Sequence, residues 1–157
     1  MNYFSRYYDD QGEIRSSINN KGLGKIYKRV LDEYNECMEI EEYLVSFLLI
    51  QNLLEDRLFV FYKMVVENYI SGDEKPLTYY QKNNNVHGII NKLADLGCFN
   101  ENLKRNLLVA NKLRNTHIHF SFMNTRSYDK GLSEGFYKLF REVDSLIRKL
   151  RRELKKK

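Results

Sequence analysis

One stretch, IEEYLVSFLLIQNLLEDRLFVFYKMVVENY from Ile40 to Tyr69, specifies the architecture of this 157-residue chain. Its apolar residues recur at intervals of three, four and seven without a glycine or proline, which predicts one long α-helix. The first half is apolar on nearly every side, so we expect several neighbouring helices to cover it. The apolar positions that follow the pattern are Leu44, Phe47, Leu54, Leu58, Phe61 and Val65.

Shorter amphipathic patterns on both sides of this stretch predict the other helices. They cover residues 23–37, residues 86–96 up to Gly97, a helix that begins after the N-cap Asn100 and continues through Phe120, and residues 132–150. Loops are expected at 71–76 and 124–131, where glycine, proline and polar residues cluster. The sequence therefore predicts an all-α, single-domain bundle of four to five helices. An irregular N-terminal arm is expected at residues 1–20, the helical domain at 21–152 and a basic tail at 153–157.

Composition excludes several classes of protein. With 43% apolar residues and one proline, the chain is typical of a globular domain. The most apolar run, from Tyr43 to Leu54, is about half the length that a membrane span needs. Cys37 and Cys98 have no CxxC spacing, and no apolar signal segment opens the chain, so we expect a cytoplasmic protein without a membrane partner. The net charge of +5 is consistent with a polyanionic partner.

Chemistry-bearing residues concentrate between Leu113 and Phe120, in the sequence LRNTHIHF. Arg114 carries a permanent charge and a planar fork of donors that suits a phosphate. His117 and His119 are side chains that exchange protons near neutral pH. Asn115 supplies an amide next to the arginine. We therefore expect the site here.

The order Arg114, Asn115, three further residues and His119 resembles the signature of the HEPN superfamily, in which four to six residues separate an arginine from a histidine. The helical pattern around it, from Val86 to Phe120, is similar to that family's arrangement. The resemblance implies a HEPN-like up-and-down bundle. It also implies a metal-independent RNA endonuclease of the kind found in bacterial toxin and anti-phage systems, which acts as a homodimer with a composite site and needs no cofactor. Other members are non-catalytic modules that bind RNA, dimerise or partner a nucleotidyltransferase-like antitoxin.

In the mechanism that the resemblance implies, Arg114 and His119 are the catalytic pair and Asn115 positions the phosphate or the histidine. The alternative is that both histidines are helix-surface or core groups and that Arg114 merely pairs with an acid, which would leave a helical interaction module. Helical periodicity raises an alternative, because His117 shares a face with Arg114 on an uninterrupted helix, whereas position 119 is turned by about 140°. His117 is therefore the second choice. The resemblance favours His119 and the periodicity favours His117. A helix that begins anew at Asn115, or a site shared between two chains, would allow Arg114 and His119 to act together.

Other residues are weaker candidates for this site. Glu55 and Asp56 interrupt the long helix where leucine would continue, so they either lie on an exposed stripe or form local ion pairs, or one of them orients Arg114 and His119. Lys112 is a candidate for substrate binding, and aromatic side chains are candidates to stack unpaired bases. Tyrosines of this kind are more often half-buried in the core, which is the alternative. These aromatic residues are Tyr79, Tyr80, Phe120, Phe122 and Tyr128.

A metal site is the remaining chemical alternative. His117 and His119 form a His-x-His pair that could bind zinc. Two nitrogens supply only two of the usual four ligands, however, and no HExxH or CxxC motif accompanies them. We therefore expect no metal.

Overall fold

The computed structural model of the chain describes residues 23–70, 86–120 and 128–156, without the side chains of residue 23 and of residues 117–120. Five α-helices make up the described part: α1 Leu23–Glu39, α2 Tyr43–Tyr69, α3 Val86–Asp95, α4 Glu101–Phe120 and α5 Lys130–Leu154. The predicted all-α helical bundle is confirmed. The N-terminal arm expected at residues 1–20 and the loop expected at 71–76 lie outside the described residues.

Helix α2 is the centre of the bundle. It packs most extensively against α5, then against α1, and it also contacts α3. Phe47, Ile50 and Leu58 on α2 are almost completely buried, as the apolar pattern of this helix predicted. Burying such a side chain contributes about 1.5–3 kcal/mol, so α2 supplies much of the hydrophobic stabilisation.

Local signals set the ends of the helices around α4. Gly97 has a φ of 73°, a left-handed conformation that glycine adopts without steric cost, and it follows the end of α3. Asn100 then caps α4, since its Oδ1 accepts a hydrogen bond of 2.8 Å from the backbone N–H of Leu103. Both features were predicted, and they fix where α4 begins.

Helix α5 is longer than predicted. Asp129 is its N-cap, with Oδ1 2.8 Å from the backbone nitrogen of Leu132, so Lys130 and Gly131 belong to the helix and not to the loop expected at 124–131. At the other end α5 continues to Leu154, two residues into the segment assigned to the tail. The polar capping residue marks this start better than the first apolar residue does.

Two charged residues of α2, Glu55 and Arg57, lie inside the bundle. Only 8% of Arg57 is exposed, its Nε lies 3.3 Å from Oδ1 of Asp144 on α5, and its guanidinium stacks 3.7 Å above the ring centre of Tyr27 on α1. The hydroxyl of Tyr27 donates a hydrogen bond to Asp56. Arg57 is therefore buried with partners that the neighbouring helices supply, namely Asp144 on α5 and Tyr27 on α1.

None of the helices within the described residues is long and apolar enough to cross a membrane. Cys37 and Cys98 are both free.

Candidate functional site

Helix α4 brings Arg114 to the interior through its buried stripe. Leu103, Leu107 and Ala110 follow one another at intervals of three and four, and each is at most 5% exposed. Arg114 is the next member of this series, so the helix directs a cation to a position where a leucine would ordinarily face the core. Its side chain is 22% exposed. Such a cation needs a partner on the helix that it faces.

Glu55 on α2 is that partner. The carboxylate Oε1 lies 2.7 Å from Nε of Arg114, and the Glu55 side chain is 9% exposed. Within the described residues, the Nε–H of Arg114 makes no aligned hydrogen bond, so this contact is mainly a charge attraction. The sequence left open whether Glu55 lay on an exposed stripe or pointed at Arg114, and the exposed-stripe alternative is wrong for it.

Asp56, the other acidic candidate, is placed differently. One residue along an α-helix is a rotation of about 100°, which turns Asp56 away from the direction of Glu55. Asp56 accepts the hydrogen bond from Tyr27 on α1. The structure therefore brings Glu55, rather than Asp56, to Arg114.

A small cavity adjoins the ion pair. Its volume is about 10 Å³, which is the space of a single water-sized sphere, and Gln51, Asn111, Glu55 and Arg114 are among the residues that line it. Gln51 is only 3% exposed, and its Oε1 has no hydrogen-bond partner among the described residues. Sequence reasoning missed Gln51, because a lone glutamine one turn before Glu55 carries no distinctive pattern.

Asn115 connects the buried pair to the surface. Its Oδ1 accepts a hydrogen bond of 2.8 Å from Nη1 of Arg114. Asn115 is exposed. The guanidinium of Arg114 therefore contacts the buried Glu55 through Nε and a surface residue through Nη1. The structure thus brings three of the candidate residues, Arg114, Asn115 and Glu55, into one connected group.

A surface groove begins where Asn115 is exposed. It has a volume of about 770 Å³ and lies along α4, with His87 at the start of α3 among the lining residues. Three cations line it, namely Lys104, Arg105 and Lys112, against one carboxylate, that of Glu101. The remaining lining residues are Leu108, Val109, Asn111, Asn115 and Thr116.

The substrate-binding candidate Lys112 is therefore placed beside the site, and the groove adds two cations that sequence reasoning missed. Arg105 precedes Lys112 by seven residues, about two helical turns, so it shares that face of α4, and Lys104 lies on the adjacent face. A periodicity count of basic residues, rather than apolar ones, would have found them.

The histidines are placed only by their backbone. Helix α4 is continuous from Glu101 to Phe120, so a new helix does not begin at Asn115. In this register, position 117 follows Arg114 by three residues and position 119 follows Asn115 by four, one turn further along the helix. The side chains of His117 and His119 lie outside the described residues, and the choice between them stays a prediction.

The aromatic candidates fall into two groups. Tyr79, Tyr80 and Phe122 lie outside the described residues, as does the side chain of Phe120. Tyr128 is 8% exposed, and its ring centre lies 5.5 Å from that of Phe47. The suggestion that Tyr128 stacks an RNA base is therefore wrong, because its ring belongs to the core.

Metal ligation has no support among the described side chains, where no group of three histidine, cysteine or acidic residues could hold an ion. The arrangement provides instead a fixed cation, an amide next to it and a basic groove. These groups can bind and neutralise a phosphate.

Comparison with known proteins adds no assignment: the chain matches no family model, no curated protein and no solved structure.

Proposed function

We propose that the protein is a metal-independent RNA endonuclease of HEPN type, which cuts single-stranded or loop RNA at the Arg114 end of the α4 groove. The observation that carries the proposal is the position of Arg114. Glu55 holds its Nε at 2.7 Å, its Nη1 bonds to Asn115, and Asn115 lies in a groove with an excess of cations. A phosphodiester in the groove would meet Asn115, which lines the groove and accepts the hydrogen bond from Nη1 of Arg114.

In the proposed reaction, the ribose 2′-oxygen attacks the adjacent phosphorus and the bond from phosphorus to the 5′-oxygen breaks. One imidazole takes the proton of the 2′-hydroxyl and another delivers a proton to the leaving 5′-oxygen. The products are a 2′,3′-cyclic phosphate and a 5′-hydroxyl. His119 acts as the acid or base, a role that contributes on the order of 10² to 10⁴ in rate.

Arg114 stabilises the charge that develops on the phosphoryl oxygens. A single preorganised donor of this kind contributes about 3–4 kcal/mol in comparable sites. Glu55 limits the directions that the guanidinium can take, so less of its side-chain freedom remains to be lost when a phosphate binds. Asn115 positions the phosphate or the imidazole.

The resemblance to HEPN nucleases implies an active site shared between two copies of the chain, each of which would supply one His119 for the two proton transfers. In a homodimer, Arg114 of one protomer acts on the same phosphate as His119 of its partner. The angle of about 140° between these two positions on one helix then does not keep them apart. The mass of the purified protein in solution, measured by light scattering, tests this part. A monomer that retains full activity would contradict it.

The decisive experiment incubates the purified protein with a defined single-stranded RNA in the presence of EDTA. We expect cleavage to continue, with products ending in a cyclic phosphate and a 5′-hydroxyl. Replacing the ribose on the 5′ side of the scissile phosphate by deoxyribose should abolish the cut, because the attacking oxygen is gone. Equal cleavage of the all-DNA analogue would refute the mechanism.

Variants assign the residues. His119→Ala and Arg114→Lys should each remove cleavage, while Arg141→Lys, at an exposed arginine of α5, provides the matched control and should retain it. If His117→Ala abolishes cutting and His119→Ala does not, the histidine assignment is reversed although the reaction class stands.

A second function is favoured by the burial of Arg114. With 22% of its side chain exposed and Glu55 against it, the guanidinium is less open to a phosphate than Lys112 is. A non-catalytic module that binds RNA through the groove, or that partners a nucleotidyltransferase-like antitoxin, fits this observation. Such a module would slow the migration of RNA on a native gel and would never cleave it.

A further inference from the structure

Two buried polar atoms with opposite hydrogen-bonding needs belong to residues that line the small cavity between α2 and α4. The Oε1 of Gln51 is an acceptor and the Nε–H of Arg114 is a donor, and within the described residues neither atom makes an aligned hydrogen bond. Gln51 is only 3% exposed. Because a buried donor or acceptor without a partner is costly, a group that serves both atoms would stabilise this part of the fold.

The amide of Gln51 is held so that its oxygen is the end without a donor. Its Nε2 donates a hydrogen bond of 2.8 Å to Oδ1 of Asn52. Gln51 also precedes Glu55 by four residues, one turn of α2, so these two side chains are neighbours on one face of the helix. Gln51 therefore lies beside the carboxylate that pairs with Arg114.

The cavity has the size and the polarity of a site for one water molecule. Its volume is about 10 Å³, and a buried water needs roughly 10–15 Å³ and two to four polar partners. Gln51, Glu55, Asn111 and Arg114 supply polar groups to its wall. The other described lining residues, among them Leu107, are apolar and offer the two atoms no alternative partner.

From this arrangement we propose that one water molecule binds in the cavity, where it accepts a hydrogen bond from the Nε–H of Arg114 and donates one to Oε1 of Gln51. Its second hydrogen can be donated to a side-chain oxygen of Asn111 or Glu55. Water fits better than a cation, because the guanidinium already supplies a positive charge and an N–H donor. Gln51 is thus a positioning residue that acts on Arg114 through the water.

The water gives the guanidinium a third fixed contact, after the charge contact with Glu55 and the hydrogen bond from Nη1 to Asn115. Asn111 lines both the cavity and the surface groove, so the water site and the groove share one side chain. The part that Gln51 plays in cleavage rests on the proposed function. The water site itself rests only on the cavity and its two buried polar atoms.

The variant that tests the site is Gln51→Met, which removes the carbonyl oxygen and keeps an unbranched side chain that adapts to the available space. The matched control is Asn68→Met, at an exposed amide of α2 that does not line the cavity. Circular dichroism spectra and melting curves establish that each variant is folded. The unmodified protein gives the first result without any variant.

Nuclear magnetic resonance detects the water in solution. In the ¹⁵N-labelled protein, we expect a cross-peak between the Nε–H proton of Arg114 and water, with the sign of a long-lived dipolar contact rather than of proton exchange. Arg114→Lys identifies the resonance by removing it. Gln51→Met should remove the cross-peak, whereas Asn68→Met should preserve it. An exchange signal alone, or an equal cross-peak in Gln51→Met, would overturn the proposal.

A crystal structure gives the distances. We expect one ordered oxygen about 2.7–3.2 Å from both Nε of Arg114 and Oε1 of Gln51. A direct hydrogen bond between these two side chains that closes the cavity, or a cavity without water density, would refute the bridging water.

RNA cleavage distinguishes the failure of the water site from the failure of the nuclease. If the protein cuts RNA, Gln51→Met should lower kcat several-fold with little change in KM, because the guanidinium stabilises the transition state more than the bound substrate. Asn68→Met should leave both constants unchanged. A protein that holds the water and never cuts RNA refutes the nuclease but not the water site. Cleavage without the water refutes the water site alone, and an unchanged kcat in Gln51→Met refutes the positioning role.

Discussion

Glu55 and Arg114 form an ion pair between the central helix and the helix that carries the candidate motif, with 2.7 Å between Oε1 and Nε. The two residues are 59 positions apart in the sequence. Because the pair is largely shielded from water, each charge depends on the other. Arg114 is consequently a structural residue as well as a candidate catalytic one, and activity lost in an Arg114 variant must be compared with the stability of that variant.

The first prediction concerns the stability of this pair. Arg114→Ala removes the guanidinium from a carboxylate that is 9% exposed, and we expect a loss of about 2 kcal/mol in the free energy of unfolding. This value is below that of a fully buried pair, because Arg114 is partly exposed. Adding Glu55→Gln to Arg114→Ala should recover part of the loss, because the buried negative charge that the guanidinium offset disappears.

Urea denaturation of the four proteins in this double-mutant cycle measures the coupling. Losses that simply add, with no recovery in the double variant, would show that the pair contributes no interaction energy. Arg114→Lys retains a charge and should cost less stability than Arg114→Ala, which makes it the better variant for cleavage assays.

The second prediction concerns the other buried charge pair. Asp144→Ala leaves Arg57, which is 8% exposed, without the carboxylate that lies 3.3 Å from its Nε. We expect a loss of about 3 kcal/mol, in the range for removing one partner of a buried pair. Glu142→Ala, at an exposed position two residues earlier, should change stability by no more than about 0.5 kcal/mol. Equal melting temperatures for the two variants would contradict this account.

The third prediction concerns a buried contact between α2 and α5. Ser46 and Ser133 are both completely buried, with 2.8 Å between their hydroxyl oxygens. Ser133→Leu should destabilise the protein by about 1–3 kcal/mol or more, since no space exists for the larger side chain. Ser133→Ala should cost only about 1 kcal/mol, because the hydroxyl of Ser46 also donates to the carbonyl oxygen of Tyr43. Thermal denaturation compares the two, and a larger loss in the alanine variant would refute the packing argument.

The fourth prediction concerns alkaline pH. Burial raises the pKa of the Tyr34 hydroxyl from 10.0 to about 12, and the ring stacks on that of Tyr137 with 5.2 Å between centres. Between these two pH values the folded protein retains the proton that the unfolded chain has lost, so stability falls as pH rises and is unaffected below pH 10. Tyr34→Phe should make this fall less steep in urea denaturation at several pH values. An unchanged slope would contradict the assignment to Tyr34.

Local patterns were sufficient to locate most helix boundaries. The start of α4 follows from Asn100 and the end of α3 from Gly97, because a cap and a left-handed residue act on the adjoining backbone and need no distant contact. The start of α5 was misplaced by two residues, since the apolar pattern was weighted above the capping residue Asp129. The candidate site was predicted less completely. The sequence singled out Arg114 and Asn115, but Lys104 and Arg105 were not predicted, because they join the candidate site through the groove that they line along α4.

The periodicity of α2 and α4 established an all-α bundle and put Arg114 in register with a buried stripe, because helical repetition depends only on residues three and four positions apart. Helical periodicity did not determine which carboxylate pairs with Arg114, since Glu55 and Asp56 are adjacent and both acidic. The packing of the helices determines the partner of each residue, because it places Glu55 against Arg114 and Asp56 against Tyr27. Partners of buried charges lie on other helices, so their identity emerges only when the faces of those helices come together.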